Sequence, residues 1–393
     1  MKTVLVNGKI ITPMRILDNG ILVFEDDTIL YVGDKHGYEI TEQDRVVDAE
    51  GKYISPGFID IHTHGAGGHD FMDGTVEAFL GAAYTHMEHG STTLIPTTLT
   101  STMEDLFQTL DLFKEVKKQN KGPHLLGLHL EGPYFSMEQR GAQDPKYIKN
   151  PEKEEYEKIL AYSSDIVRWT IAPELEGALP MGRALEQRGI VPSIGHSNAV
   201  YEEVLKAYEH GYCLMTHFYS GMSTVTRVKG ERFAGVIESG YLIDEMFVEV
   251  IADGLHLPKS LLQLIYKVKG ADRICLVTDS MRAAGCEEGE YILGNKETGQ
   301  RVIVEDGVAR LLDRSAFAGS VATADRLIRT MVNMAEVSLQ EAVKMMTLTP
   351  ARVMNIDATT GSLVPGKKAD IIVFDKDIHV SKVWVGGILT KDK

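Results

Sequence analysis

Apolar segments of strand length alternate with helix-like segments through the central part of the chain. The apolar runs lie near residues 57–64, 91–97, 124–131, 166–172, 190–196, 212–217, 247–252 and 273–279. Segments with helical periodicity lie near residues 75–90, 102–120, 151–163, 178–189, 199–210, 258–269 and 322–334. The runs are continuously apolar, as expected of parallel strands that are buried on both faces. Eight such strands predict an α/β fold, a (β/α)8 TIM barrel.

The two ends of the chain have an all-β character instead. Short apolar runs, separated by turn-forming residues, lie at residues 4–12, 21–32, 45–48, 369–374 and 383–389. We therefore predict a small β-sandwich domain formed by residues 1–55 and 357–393, and a barrel domain formed by residues 56–356. A hairpin insertion is predicted near residues 290–312. The connection between the sixth and seventh strands fits the alternation least well.

Charge and composition limit the classes of partner. The chain has 41 basic and 56 acidic residues, a net charge of −15, which argues against nucleic acid or an anionic membrane as partner. No apolar run approaches the roughly 18 residues of a membrane span, and no signal peptide precedes Val4. The three cysteines show no disulfide-framework spacing. These features predict a cytoplasmic protein with a small-molecule substrate.

Histidines and carboxylates stand where the predicted barrel strands end. Side chains two residues apart on a strand point the same way, so His62 and His64 face one side. The carboxyl ends of all barrel strands meet at one mouth, where active sites lie. A single histidine or aspartate at a strand end often makes only a hydrogen bond, but six on five strands predict a metal site. These six residues are His62, His64, Glu131, His196, His217 and Asp279.

This set of residue types indicates hydrolytic metal chemistry. Glu131, His196 and His217 provide three ligands and leave one position open, as in catalytic zinc sites. Histidine with carboxylate suits a borderline divalent ion, with zinc as the first choice and iron, manganese and cobalt as alternatives. Such an ion activates water, and Asp279 is the candidate general base and acid. His62 and His64 either hold a second ion, bridged by Glu131, or orient other groups.

Motifs along the whole chain carry a family resemblance. The most distinctive is His129-Leu130-Glu131-Gly132-Pro133, and further matching segments are 56–60, 127–133, 195–197, 251–256, 277–279, 318–320 and 361–370. In these segments the chain resembles the N-acetylglucosamine-6-phosphate deacetylases, a family of the amidohydrolase superfamily. The resemblance implies hydrolysis of N-acetyl-D-glucosamine 6-phosphate to D-glucosamine 6-phosphate and acetate. It also implies that Glu131, His196 and His217 are the metal ligands and Asp279 the catalytic acid and base.

The resemblance further implies a sugar-phosphate site. His256 would contact the sugar phosphate, and the sugar would lie against Ala142, Gln143, Phe317, Ala318 and Gly319. Family members are usually homodimers in which a basic side chain crosses the interface to the phosphate. The candidates for that side chain are Arg227, Lys229 and Arg232.

The chain departs from the family pattern around the sugar. Ser220 and Gly221 stand where members commonly have asparagine and alanine, and Gln143 stands where some have histidine. The substrate could therefore be N-acetylgalactosamine 6-phosphate or a related N-acetyl amino-sugar phosphate. A cyclic-amide hydrolase is a further alternative, but Glu131 stands in place of the carbamylated lysine that holds the metals of many relatives. An inactive relative that acts as a binding protein is disfavoured because the ligands and Asp279 are intact.

Overall fold

The N-terminal segment forms one side of a mixed β-sheet. A computed structural model of the chain describes residues 1–392. Its first strands are β1 (Lys2–Ile11), β2 (Ile16–Glu25), β3 (Thr28–Asp34), β4 (Arg45–Asp48) and β5 (Tyr53–Pro56). The apolar run predicted at 21–32 contributes to two strands, because Asp26 adopts a positive φ of 51° and turns the chain back.

The central strands form the predicted barrel and two separate two-stranded hairpins. They are β6 (Phe58–Thr63), β7 (Gly65–Ala66), β8 (His69–Asp70), β9 (Ser91–Thr98), β10 (His124–Leu125), β11 (Leu128–Glu131), β12 (Ile166–Ile171), β13 (Val191–Ile194), β14 (Leu214–Met215), β15 (Thr226–Val228), β16 (Glu231–Phe233), β17 (Phe247–Val250) and β18 (Ile274–Leu276). A parallel sheet runs in the order β10-β9-β11-β12-β13-β14-β17-β18, and β6 pairs with β9. The Asp279 amide donates to the His62 carbonyl at 2.9 Å, which brings the end of the eighth barrel strand beside the first. The (β/α)8 prediction is confirmed.

Helices cover the outside of this barrel. They are α1 (Val76–Glu88), α2 (Met103–Gln119), α3 (Lys153–Tyr162), α4 (Ala178–Glu186), α5 (Tyr201–Glu209), α6 (Val236–Leu242), α7 (Lys259–Lys269), α8 (Ala324–Asn333), α9 (Leu339–Met345) and α10 (Leu348–Val353). The prediction missed α6, α9 and α10, because six or seven residues make only about two turns and show no clear period. Within residues 1–392, no helix combines the length and apolar character that crossing a membrane requires.

The predicted hairpin insertion is a three-stranded antiparallel sheet. Its strands are β19 (Gly289–Leu293), β20 (Gln300–Glu305) and β21 (Val308–Leu311). A turn between Glu305 and Val308 joins β20 to β21 as a hairpin, whereas β19 is an additional strand. Val302, Val304 and Ala309 pack with Met281 and Ala318 in one apolar cluster. The insertion therefore packs on the loop that follows the eighth barrel strand, next to the mouth.

The C-terminal strands complete the sheet begun by the N-terminus. β22 (Ile371–Phe374), β23 (Val380–Val385) and β24 (Ile388–Asp392) join it through antiparallel pairing of β22 with β5. Phe24 on β2 and Trp384 on β23 lie with ring centroids 6.3 Å apart. Their strands are four places apart in the sheet, about 19 Å in a flat sheet. The sheet must therefore fold over on itself, which gives the sandwich-like packing expected of the termini.

Candidate active site

The structure brings all six predicted polar residues together at the mouth of the barrel. His62 lies on β6, Glu131 ends β11, and the others follow barrel strands in short loops. Every one of these side chains is buried. Their convergence follows from the topology, because parallel barrel strands bring their carboxyl ends to the same face.

Glu131, His196 and His217 form the first of two potential cation sites. The Glu131 Oε1 atom lies 3.0 Å from His217 Nε2 and 3.3 Å from His196 Nε2. The Nδ1 atom of His196 faces the Gln139 carbonyl at 2.8 Å, and that of His217 faces the Ser220 carbonyl at 3.1 Å. A carbonyl only accepts hydrogen bonds, so each Nδ1 donates and each neutral ring turns a lone pair on Nε2 toward Glu131.

His62, His64 and Glu131 form the second potential cation site. His62 Nε2 lies 3.6 Å from Glu131 Oε1, and His64 Nε2 lies 3.4 Å from Glu131 Oε2. His62 Nε2 is buried and has no hydrogen-bond partner among residues 1–392. In each group the three ligand atoms lie within 4.8 Å of one another, and Glu131 belongs to both. A buried ring nitrogen without a hydrogen-bond partner, next to a carboxylate that belongs to both groups, is a suitable ligand for a divalent cation.

Asp279 faces the same histidines from the last barrel strand. Its Oδ1 atom lies 3.2 Å from His64 Nε2 and 3.4 Å from His62 Nε2. Burial alone would raise the pKa of Asp279, but its contacts with the His62 and His64 rings outweigh burial and hold the pKa well below its usual range. The pKa of Glu131 is also lowered, because its burial is outweighed by its close contacts with His196, His217 and His64. Both carboxylates are therefore ionised, and their negative charge favours a cation between them.

Three of these residues have a positive φ angle, a backbone conformation that residues other than glycine rarely adopt. His196, His217 and Asp279 have φ angles of 48°, 34° and 43°. Outside glycine, this left-handed region costs on the order of 1 to 3 kcal/mol per residue and is concentrated at functional sites. Each residue follows a barrel strand within three positions, and the turn there is part of the local structure that presents its side chain at the mouth.

A cavity of about 220 Å³ opens above the histidines and carboxylates. Seven of the predicted substrate-binding residues line it, namely Ala142, Gln143, Ser220, Gly221, His256, Phe317 and Gly319. Ala318 is fully buried beside them and is not part of the wall. The wall also contains four residues that were not predicted from the sequence, namely Leu99, Gly141, Leu293 and Ala316. They carry no group that sequence patterns mark as functional.

Gln143 links the cavity wall to the ligand cluster. Its Nε2 donates to Glu131 Oε2 at 2.7 Å, and its Oε1 accepts from the amide and hydroxyl of Thr100 at 3.0 and 2.9 Å. These bonds fix which way the amide points. Elsewhere in the cavity wall, His256 Nδ1 lies 2.7 Å from Asp253 Oδ2, and the ring centroids of His256 and Phe317 are 4.5 Å apart. His256 Nε2 is thereby left to contact a ligand.

The predicted phosphate-binding cations lie elsewhere. Arg227 is on β15, Arg232 is on β16, and Lys229 is in the turn between these strands. All three are exposed, and none lines the cavity. Within one chain, the structure does not bring them to the predicted substrate.

Two buried charges beneath the site were also missed. Arg168 on β12 and Glu249 on β17 form an ion pair inside the barrel, and both side chains are completely buried. A signal was present in the sequence, because an arginine or glutamate inside a continuously apolar strand must find a partner.

Comparisons with known proteins agree with this geometry. A model of the amidohydrolase family matches residues 53–389. The chain is 34% identical over 350 residues to N-acetylglucosamine-6-phosphate deacetylase of Lysinibacillus sphaericus, covering 87% of this chain and 86% of that protein. It is 32% identical over 346 residues to N-acetylgalactosamine-6-phosphate deacetylase of Escherichia coli O157:H7, covering 88% and 89%.

Solved structures show the same fold over the full length. The N-acetylglucosamine-6-phosphate deacetylase of Pasteurella multocida superposes with a TM-score of 0.92 at 29% identity, covering 100% of both chains. A substitution variant of the Mycobacterium smegmatis deacetylase, in complex with N-acetyl-D-glucosamine-6-phosphate, superposes with a TM-score of 0.89 at 29% identity, covering 100% of this chain and 99% of that one. The family match, these relatives and the histidine–carboxylate cluster show together that the chain belongs to the amidohydrolase family, in its group of amino-sugar-phosphate deacetylases.

Proposed function

We propose that the protein is a metal-dependent deacetylase that hydrolyses N-acetyl-D-glucosamine 6-phosphate to D-glucosamine 6-phosphate and acetate. The observation that carries this proposal is the ionised carboxylate of Asp279, which faces His62 and His64 of the second potential cation site and lines a small cavity. The names of the similar proteins supply the substrate class.

The ligand set suits one or two divalent ions per subunit. Glu131, His196 and His217 would hold the first ion, and His62 and His64 would share Glu131 with a second. Zinc is the ion we expect, because imidazole nitrogen and carboxylate oxygen are its usual protein ligands. When bound, such an ion polarises the amide carbonyl and makes a water-derived nucleophile available at neutral pH.

The residues of the chain itself position the substrate and transfer protons. Asp279 takes a proton from the attacking water and returns it to the sugar nitrogen as the carbon–nitrogen bond breaks. Because the pKa of Asp279 is lowered, the carboxylate is ionised at neutral pH, which is the state that a general base requires. Gln143, Ser220 and His256 offer polar atoms around the cavity and would orient the sugar phosphate.

The phosphate requires a cation that one chain does not place in the cavity. Among residues 1–392, the side chains that line the cavity include no lysine or arginine. The β15–β16 hairpin carries Arg227, Lys229 and Arg232. The apolar side chains of Val225, which precedes β15, and of Val228 are 52% and 54% exposed. These features support a homodimer in which the hairpin of one subunit reaches the phosphate site of the other.

Removing the hairpin cations tests this arrangement. We expect the double variant Arg227→Ala/Arg232→Ala to raise KM for the phosphorylated sugar about 10- to 100-fold with little change in kcat. The reason is that charge-assisted hydrogen bonds to the phosphate stabilise the bound substrate and the transition state equally. The measurement is steady-state release of free amine. Arg301→Ala is the control, since Arg301 is an exposed arginine that pairs with Glu290 on the insertion. An unchanged KM would remove these two arginines from the phosphate site.

A second candidate keeps the reaction and changes the sugar. The relative from Escherichia coli O157:H7 is named for the galactose epimer, and Ser220, Gly221 and Gln143 all line the cavity. Free-amine release from N-acetylglucosamine 6-phosphate, from its galactose epimer and from the unphosphorylated sugar separates the candidates. We expect strong preference for the first. Preference for the epimer would replace the proposed substrate, and turnover of none by the metal-loaded protein would point to another amide, such as a cyclic one.

The state of the cysteines bears on the compartment. Cys213, Cys275 and Cys286 are all free thiols. We therefore propose that the enzyme works in the reducing cytoplasm, where free thiols persist.

A further inference from the structure

The ligand histidines differ in what holds the far side of the ring. His196 and His217 each face a backbone carbonyl with Nδ1. His62 instead faces a side chain, because its Nδ1 lies 3.1 Å from Glu249 Oε2. His62 is therefore the one of these three rings whose orientation depends on a side chain that can be substituted.

Glu249 is itself held by a completely buried arginine. Arg168 donates to Glu249 Oε1 through Nη1. It also donates to the carbonyl of Ile61 at 2.9 Å, to Ser193 Oγ at 3.0 Å and to Thr216 Oγ1 at 2.8 Å. Since a guanidinium group only donates hydrogen bonds, Glu249 Oε1 must accept. These contacts leave Glu249 little freedom to move.

The other oxygen of Glu249 also accepts two hydrogen bonds. Oε2 takes one from the backbone amide of His217 at 3.1 Å and one from His62 Nδ1 at 3.1 Å. An ionised carboxylate carries no proton to give, so the hydrogen on this contact belongs to His62 Nδ1. The lone pair of a neutral His62 ring is then on Nε2, the buried atom without a partner that faces Glu131 and Asp279.

We propose that Arg168 and Glu249 are positioning residues that fix His62 in its Nδ1–H form. They thereby prepare His62 to bind a cation, together with His64 and Glu131, at the second potential cation site described above. This inference rests on the proposed function in one respect, because it requires that the protein binds a metal ion. It does not depend on the identity of the sugar. It agrees with the general use of a carboxylate behind a metal-binding histidine to set ring orientation and basicity.

Glu249→Gln tests the proposal because an amide cannot satisfy both neighbours. Arg168 requires an acceptor, which draws the amide oxygen toward the guanidinium group. The NH2 group then faces the amide of His217 and His62 Nδ1. Nδ1 must accept, the ring proton moves to Nε2, and the lone pair no longer points toward Glu131.

The measurement is zinc binding by the full chain in equilibrium dialysis. For the wild-type protein we expect two ions per subunit, and for His62→Gln one tightly bound ion. For Glu249→Gln we expect the first ion to bind as in wild type and the second to bind about 10- to 100-fold more weakly, the usual effect of losing such a carboxylate. Glu341→Gln is the control, because Glu341 accepts hydrogen bonds from the hydroxyl groups of Tyr266 and Ser338 outside the barrel.

A second variant and a spectroscopic measurement separate positioning from loss of structure. Glu249→Asp keeps the negative charge beside Arg168 but moves the carboxylate away from His62. We therefore expect it to lower the affinity for the second zinc ion by a smaller factor than Glu249→Gln does. Histidine nitrogen-15 shifts, assigned with His62→Gln, report which ring nitrogen carries the proton in the metal-free protein. We expect Nδ1–H in wild type and Nε2–H in Glu249→Gln.

Three results would overturn the inference. The first is binding of only one zinc ion by the wild-type protein. The second is binding of two ions with unchanged affinity by both Glu249 variants, and the third is an equal loss of affinity for both ions in these variants. Failure of the proposed function is a separate outcome. A protein that turns over no amino-sugar phosphate but loses only the second ion in Glu249→Gln would refute the substrate and retain the positioning role.

Discussion

Asp279→Asn is expected to lower kcat by about 100- to 10,000-fold, the usual contribution of a general acid and base. Asparagine has nearly the same shape and remains beside His62 and His64, but it cannot take a proton from water. Since Asp279 is not a member of the Glu131–His196–His217 group, the ion in that group should stay bound. The measurements are steady-state amine release and metal content of the same preparation.

A matched aspartate elsewhere separates the proton-transfer role from a general effect of the substitution. The side chain of Asp272 is 58% exposed and pairs with Lys344 and Arg352. Asp272→Asn should therefore leave kcat unchanged. Wild-type turnover by Asp279→Asn would contradict the proposed mechanism, and loss of all bound metal would show that Asp279 acts as an essential ligand.

Glu131→Gln is expected to cause a comparably large loss of activity, but for a different reason. Glu131 is common to both potential cation sites and presents Oε1 to His217 and Oε2 to His64. The amide has one accepting oxygen instead of two and carries no charge, so both sites lose an anionic ligand. Metal catalysis of this kind contributes several kcal/mol, so kcat/KM should fall by about 1,000-fold or more.

The cause of that loss is tested by measuring metal and activity together. Metal content of dialysed Glu131→Gln should drop from that of the wild-type protein, and excess zinc should restore only part of the activity. Glu155→Gln is the control, because Glu155 accepts hydrogen bonds from Tyr134 and Lys149 and is not part of either cation site. Full metal content with full activity in Glu131→Gln would exclude Glu131 as a ligand.

The barrel was predictable because its signals are local. A parallel strand buried on both faces must be apolar along its length, and the helix that follows must show a period of 3.6, so both features can be read from short windows. The position of Glu131, His217 and Asp279 at strand ends followed from the same reading, since barrel topology brings those ends together. Short elements such as α6 and β19 lie below the length at which periodicity is visible.

The detailed contacts of the site depend on residues far apart in the chain. Arg168 and Glu249 are 81 positions apart, and neither belongs to a local motif. Likewise, Leu293 reaches the cavity only because the insertion packs on the loop after the eighth barrel strand. The sequence by itself determined the fold class and the ligand types, because these depend on local periodicity and on strand ends. Only the tertiary structure decided which ring nitrogen faces the cation site and which cations lie outside the cavity, because these depend on long-range packing and hydrogen bonding.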